Sequence, residues 1–281
     1  MKNKEYFELN QILGYPPKLN NSRINWGGDN NVLYCEQKVQ LIDSVQNFNG
    51  NGALIYLCGS DYDYKLLVNA HNNTVFHMGK DNYITQRMTI VLSEQKHCFI
   101  GDEGIFSWGI FIRNADPHLI YECRSRERIN PTQSVYIGDH VWLGADSYVL
   151  KGTMIDSGSI IGAKSVISGK HIKHNSLWAG NPARKKKDGV FWDKACVNFW
   201  EESMTETSVV YDTFIHRNHI EICPEKWIYK YSSNEEISFL EVEAELNKNK
   251  SAQDNCEYLK YLNAQKTNNR FVHRTKAWRF K

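Results

Sequence analysis

A six-residue repeat runs through the middle of the chain and constrains its fold more than any other feature. From Ile137 the sequence reads IGDHVW, LGADSY, VLKGTM, IDSGSI, IGAKSV and ISGKHI. The first positions are Ile137, Leu143, Val149, Ile155, Ile161 and Ile167. The fifth positions are Val141, Ser147, Thr153, Ser159, Ser165 and then His171. This period fits neither a helix, at 3.6, nor a single strand, at 2, over such a length. It fits a parallel β-helix, in which each hexad makes one flat side of a coil and three hexads make one turn. The aliphatic first position then points inward and stacks on its equivalent one turn away. The fifth position must be small or β-branched to fit a tight interior. Gly138, Gly144 and Gly162 fall at second positions, beside the corners, where a side chain is costly.

The totals are compatible with this reading. The 281 residues suffice for one large domain with appendages, and the net charge of +2 argues against a nucleic-acid binder. No stretch of about 18 apolar residues predicts a transmembrane helix. The start, MKNKEYFELN, lacks the apolar core of a secretory signal. Seven scattered cysteines without CxxC spacing predict reduced thiols in a cytoplasmic protein.

Three regions are expected. Residues 1–30, with Pro16-Pro17, read as a leader or cap. Residues 31–195 read as the β-helix. Its early part has short alternating apolar runs and Asn-Gly turns at Asn49-Gly50 and Asn51-Gly52. Met78, Ile84 and Ile90 keep the six-residue spacing, and the frame restarts at Ile100, Phe106 and Ile112, so inserted corner residues are predicted between them. Six residues beyond Ile112 stands His118, where an inward aliphatic is expected. The polar segment 119–134 then interrupts the repeat, and a loop thrown out of a solenoid is where function often sits. Residues 196–281 read as a partly helical appendage with a basic end. Ser233 to Glu236 has the pattern of a capping box before a helix through Leu246, and Ser251 opens a second helix through about Lys266.

The hexads resemble those of the hexapeptide-repeat acyltransferases. The stretch from Ile112 to Gly152 reads IRNADPH, then ERIN, then VYIGDHVWLGADSYVLKG. It is similar to the maltose/galactoside acetyltransferase branch, and above all to the polysialic acid O-acetyltransferases of bacterial capsules. The resemblance covers roughly residues 100–195. It implies an all-β fold, a left-handed parallel β-helix with a helical C-terminal appendage. The hand comes from the family and departs from the usual right-handed crossover. It further implies a homotrimer with active sites between subunits, and transfer of acetyl from acetyl-CoA to a glycan hydroxyl, with no metal.

Such a hydroxyl is a poor nucleophile at neutral pH, and an imidazole within hydrogen-bond reach takes its proton as the oxygen attacks the thioester. The resemblance assigns this base to His118. Either Asn114 or Asp116 is placed to fix its tautomer. Trp142 is expected near the reacting groups or, alternatively, packed outward against a neighbouring subunit. His140 is expected to face out, at the surface or a trimer contact. For CoA the family match points to Gly144, Ala145, Gly162, Ala163, Lys170, Arg184 and Lys187. The family usually has aliphatic residues between its two terminal cations, whereas this chain reads RKKK, either a phosphate clamp or a solvated basic run.

Arg113, Arg124, Arg126 and Arg128 place positive charge at the proposed site, which suits an anionic acceptor such as a capsular polysaccharide; a solvated loop face is the alternative. The basic end from Arg270 suits a charged polymer or the anionic inner-membrane surface, and so a cytoplasmic protein with peripheral membrane or capsule-complex association. Competing readings are a small-sugar or nucleotide-sugar acetyltransferase, a γ-type carbonic anhydrase, and a non-catalytic solenoid that binds glycan or acts as a scaffold. The carbonic anhydrase needs three histidines converging on zinc, and His118, His140, His171 and His174 lack that spacing. His216, His219 and Cys223 lack the rest of any zinc motif.

Overall fold

The chain winds as three short strands per turn, each turn stacked on the one before, in a computed structural model that describes residues 9–218, 228, 236–265 and 269–272. Eight parallel strands stack on the first face, from Gln11–Gly14 to His171–Ile172, and seven on the third, from Arg23–Trp26 to Val166–Ile167. The second face carries Lys18–Asn20 and Gln40–Ile42 early. Later it carries Tyr83–Ile84, Ile105–Phe106, Trp142–Leu143, Ile160–Ile161 and Ser176–Ala179, closed by the antiparallel strand Arg184–Asp188. This is a left-handed parallel β-helix of about seven turns.

The hexads set its register. Ile137 pairs with Ile155 and Ile155 with Ile172 on the first face. Leu143 pairs with Ile161 and Ile161 with Trp178 on the second, and Val149 with Ile167 on the third. All the aliphatic members are fully buried in one continuous core, as the first-position rule requires. Fifth-position Val141, Ser147, Thr153, Ser159 and Ser165 are also buried, and the serines bond neighbouring carbonyls. The small second positions reflect real crowding: a Cβ on Gly138 would sit 2.6 Å from the Ser157 backbone nitrogen.

Several expectations change in the structure. His171 pairs with Met154 and is therefore not a fifth-position residue; the last hexad is one residue short. Its half-buried ring bonds Asp156 at 2.9 Å. The solenoid begins at Gln11, which pairs with Val32, so most of the expected leader is the first turn. The early turns are regular but longer than three hexads. Val32 pairs with Leu54, Leu54 with Val75 and Phe76 with Cys98, at 21 or 22 residues per turn. The extra residues lie at corners. His118 does not point inward: the chain leaves the coil after Asn114, and the histidine is exposed.

The outer side of the first face is apolar, and the appendage covers it. Val32, Leu54, Tyr56, Cys58, Val75, Phe99 and Tyr136 form a second core with residues of the helices Phe239–Lys248 and Ala252–Asn263 and with Phe271. Ser251 caps the second helix, its hydroxyl accepting from the Asp254 amide at 3.0 Å. Ser233 lies outside the described residues, and so do His219, Cys223 and 273–281. The structure describes Arg270, and it corrects the reading of that residue as part of a free basic end. Its guanidinium is buried and bonds Asp139 at 3.2 Å and Asp102 at 3.1 Å. It is consumed in holding the appendage to two adjacent turns.

Candidate active site

The interruption of the repeat is an ordered loop on one edge of the prism. The chain departs after Phe111–Arg113 on the third face and returns at Val135 on the first. Cys98 pairs with Val135, so this turn spends 37 residues. The loop folds into a hairpin: Tyr121 bridges Arg128, and the Ile129 amide donates to the Ile120 carbonyl at 2.9 Å. Buried Asn130 ties its two legs. The Asn130 amide donates to the His118 carbonyl at 2.7 Å and to Asp116 Oδ2 at 3.1 Å, and its oxygen accepts from the Ile120 amide at 2.9 Å. Glu94, at a corner of the preceding turn, anchors the returning leg. Both its oxygens accept from Arg128 at 2.8 Å, and one also accepts from the Thr132 hydroxyl. These bonds pull the Glu94 carboxyl down to about 2. The backbone of His118 is therefore fixed while its imidazole stands exposed.

The structure separates the two candidates for orienting His118. Asn114 is fully buried and closes a corner. Its oxygen accepts from the Ser93 amide at 2.9 Å, and its amide donates to the carbonyls of Ser93 at 3.2 Å and Lys96 at 3.0 Å. It is committed to the coil and does not orient the imidazole. Asp116 lies on the loop and accepts from Lys151 Nζ at 2.5 Å. Lys151, and then Asn130, hold its carboxyl below the ordinary range.

The four arginines divide. Arg128 is paired to Glu94 and holds the loop. Arg124 and Arg126 stand exposed at the tip. Arg113 is half-buried on its strand, its charge adding to that of Lys151 at Asp116.

Trp142 stands on the second face, opposite the edge that carries the loop, and is 39% exposed. His140 is not at the surface. Its ring stacks on Trp192 at 3.7 Å, its Nε2 lies 3.0 Å from the Trp192 carbonyl, and Trp192 Nε1 donates back to the His140 carbonyl at 3.1 Å. Trp192 is also 6.2 Å from Trp142, ring to ring.

Gly144, Ala145, Gly162 and Ala163 line the edge between the second and third faces. The Lys164 amide donates to the Ala145 carbonyl at 2.7 Å, and a Cβ on Gly144 would meet the Ala163 nitrogen at 2.5 Å. Arg184 and Lys187 extend from the second face on an exposed strand. Lys170 does not join them; it stands on the edge between the third and first faces, the edge that carries the loop.

Asn130, Glu94 and Lys151 escaped the sequence reading. Asn130 lies in the ERIN segment quoted for the resemblance, which was its only signal. Glu94 and Lys151 reach the loop only because the coil stacks distant corners.

The family model for bacterial transferase hexapeptide (six repeats) matches residues 134–169. In repeat and coil this chain is similar to the hexapeptide-repeat transferases. It is similar to the polysialic acid O-acetyltransferase of Neisseria meningitidis, 29% identical over 44% of this chain and 58% of that one. It is also similar to a putative lipopolysaccharide biosynthesis O-acetyl transferase of Escherichia coli K12, 32% identical over 45% of this chain and 63% of that one. The matches thus span about three fifths of the length of these relatives. The crystal structure of the polySia-specific acetyltransferase NeuO shares the fold. It has a TM-score of 0.61 at 22% identity and covers 75% of this chain and 94% of that one.

Proposed function

We propose that the protein is an O-acetyltransferase that moves acetyl from acetyl-CoA to a hydroxyl of an anionic bacterial surface polysaccharide, with His118 as general base. The observation that carries this reading is the braced loop, which spends its buried Asn130 on fixing the backbone of an exposed histidine. The imidazole takes the acceptor hydroxyl proton as the oxygen attacks the thioester carbonyl. The tetrahedral intermediate then collapses, the C–S bond breaks, and the proton passes to the departing thiolate. Asp116 is the remaining candidate to orient the ring. Trp142 offers an exposed aromatic face for a sugar or for the acyl chain.

His118 and Trp142 of one chain lie on opposite sides of the prism. They form one site when the loop of one copy meets the second face of the next, which supports a homotrimer. The glycine-rich edge at Gly144 and Gly162 lets the amides of CoA approach the backbone, and Arg184 and Lys187 are exposed cations of the kind its phosphates need. Arg124 and Arg126 suit an anionic acceptor, the class named in the relatives that act on polysialic acid. Six described cysteines are free thiols, as expected of a cytoplasmic enzyme using a cytoplasmic donor. No described helix is long and apolar enough to cross a membrane.

The test is acetyl-CoA turnover against a panel of capsular polysaccharides. Turnover with an anionic polymer, lost in His118→Ala at unchanged melting temperature, is expected. Full activity in that variant removes His118 from the chemistry. Turnover only with monosaccharides or amines overturns the acceptor.

A further inference from the structure

The appendage has so far served to cover an apolar face, but one of its side chains reaches the base of the loop. Glu243, on the helix Phe239–Lys248, accepts from the Ser134 hydroxyl at 2.9 Å and from Lys96 Nζ at 3.2 Å, both through Oε1. Ser134 ends the inserted segment, and Lys96 lies on the preceding turn beside the point where the segment starts. Ser134 closes the returning leg, and its oxygen also accepts from the His97 amide at 3.0 Å. Lys96 offers its carbonyl to Asn114, where the chain departs, at 3.0 Å. One helical turn on, Asn247 Oδ1 lies 3.3 Å from His97 Nε2. The corner Glu94–His97 is thus gripped twice, by the loop through Glu94 and by the appendage through Lys96 and His97.

We propose that Glu243 is a positioning residue for the His118 loop, and that the C-terminal appendage sets the loop's base. This rests on the reading of His118 as the base. A carboxylate bonded to the returning end of the insertion, and to the corner whose carbonyl holds Asn114 at the departing end, ties the two ends to one point and so sets the direction in which the hairpin projects. Small displacements of a general base cost catalysis heavily, because proton transfer needs hydrogen-bond distance. The role is separable from packing, since the buried contacts of the same helix are made by Phe239, Val242 and Leu246.

The experiment compares Glu243→Ala, Glu243→Gln, Ser134→Ala and the double alanine variant in the full chain. In Glu243→Ala, kcat falls roughly tenfold while both KM values stay within about twofold. Glu243→Gln recovers most of the loss, because its amide oxygen still accepts from Ser134. The double variant loses less than the product of the two single losses, as two groups that share one bond require. Amide exchange at Ile120 and Ile129, whose N–H groups are bonded within the hairpin, speeds up about fivefold in Glu243→Ala at unchanged melting temperature. Unchanged exchange at these two amides overturns the proposal. So does a Glu243→Gln variant as impaired as Glu243→Ala, or losses that multiply in the double variant. The exchange measurement needs no turnover, so its failure is distinct from a failure of the proposed chemistry.

Discussion

Acid should loosen the appendage before it unfolds the solenoid, and the size of the effect follows from two buried imidazoles. His77 is 1% exposed, its ring stacked on Phe99 at 4.2 Å and its Nε2 3.2 Å from Asn263 Oδ1 on the second appendage helix. His97 is 2% exposed and meets Asn247 on the first. Burial lowers each from the ordinary 6.5 to about 4; the bonds each ring makes oppose this only in part. The folded state therefore prefers the neutral rings. Their stabilising contribution is complete above pH 6.5 and is lost as pH falls from there toward 4. At pH 5 each ring costs about 2 kcal/mol, and its full loss is about 3 kcal/mol. Asp102 acts in the opposite sense. Burial first, then the neighbouring Asp139 carboxylate, raise it above the ordinary carboxylate range against the pull of Arg270, so its protonation offsets part of this loss as pH falls. Unfolding stability should thus fall by about 3 kcal/mol between pH 7.5 and 5. Urea unfolding followed by tryptophan fluorescence reads this directly, and the double variant His77→Gln/His97→Gln should flatten the profile. A wild-type profile that is flat across this range, or a double variant with the same slope, would refute the assignment of the acid response to these two rings.

Arg270→Met should destabilise the protein by about 3 kcal/mol at pH 7, because it leaves Asp102 and Asp139 buried together without a cation. The deficit should shrink at pH 5.5, since a carboxyl raised in the folded state favours folding as it protonates; an equal deficit at both pH values in denaturant titrations counts against this. Ile161→Ala should cost about 3 kcal/mol, as it removes a fully buried side chain between Leu143 and Trp178. Calorimetry reads the loss, and the Trp178 emission should shift as its neighbour disappears.

The solenoid was legible because its information is local and repeated. Each hexad needs only an aliphatic first position and a small fifth one, and Ile137, Ile155 and Leu143, Ile161 stack wherever three such hexads close a turn. The longer early turns were legible only as slips in the frame, since corner residues obey no inward pattern. The slip at His171 was invisible because a polar residue at a missing position looks like one at an occupied position. The place of the loop was also readable, as a polar gap in an otherwise strict repeat. The helix opened by Ser251 announced its own cap.

The side-chain roles within the loop were not readable. His140 lies at an outward position of its hexad, yet Trp192, 52 residues later, buries it. Asn114 has the spacing of an orienting group, but the stacking of Ser93 and Lys96 beneath it spends both ends of its amide on the corner. Asp116 meets Lys151 and Arg128 meets Glu94 because parallel turns bring distant corners to one edge. The sequence by itself therefore determined the coil, its core and the position of its interruption, all of which depend on contacts at a fixed period. Only the tertiary structure decided which polar groups remain available at that interruption. Hydrogen bonds and ion pairs are short-ranged and directional, so they depend on which residues of other turns, and of the appendage, come to lie beside them.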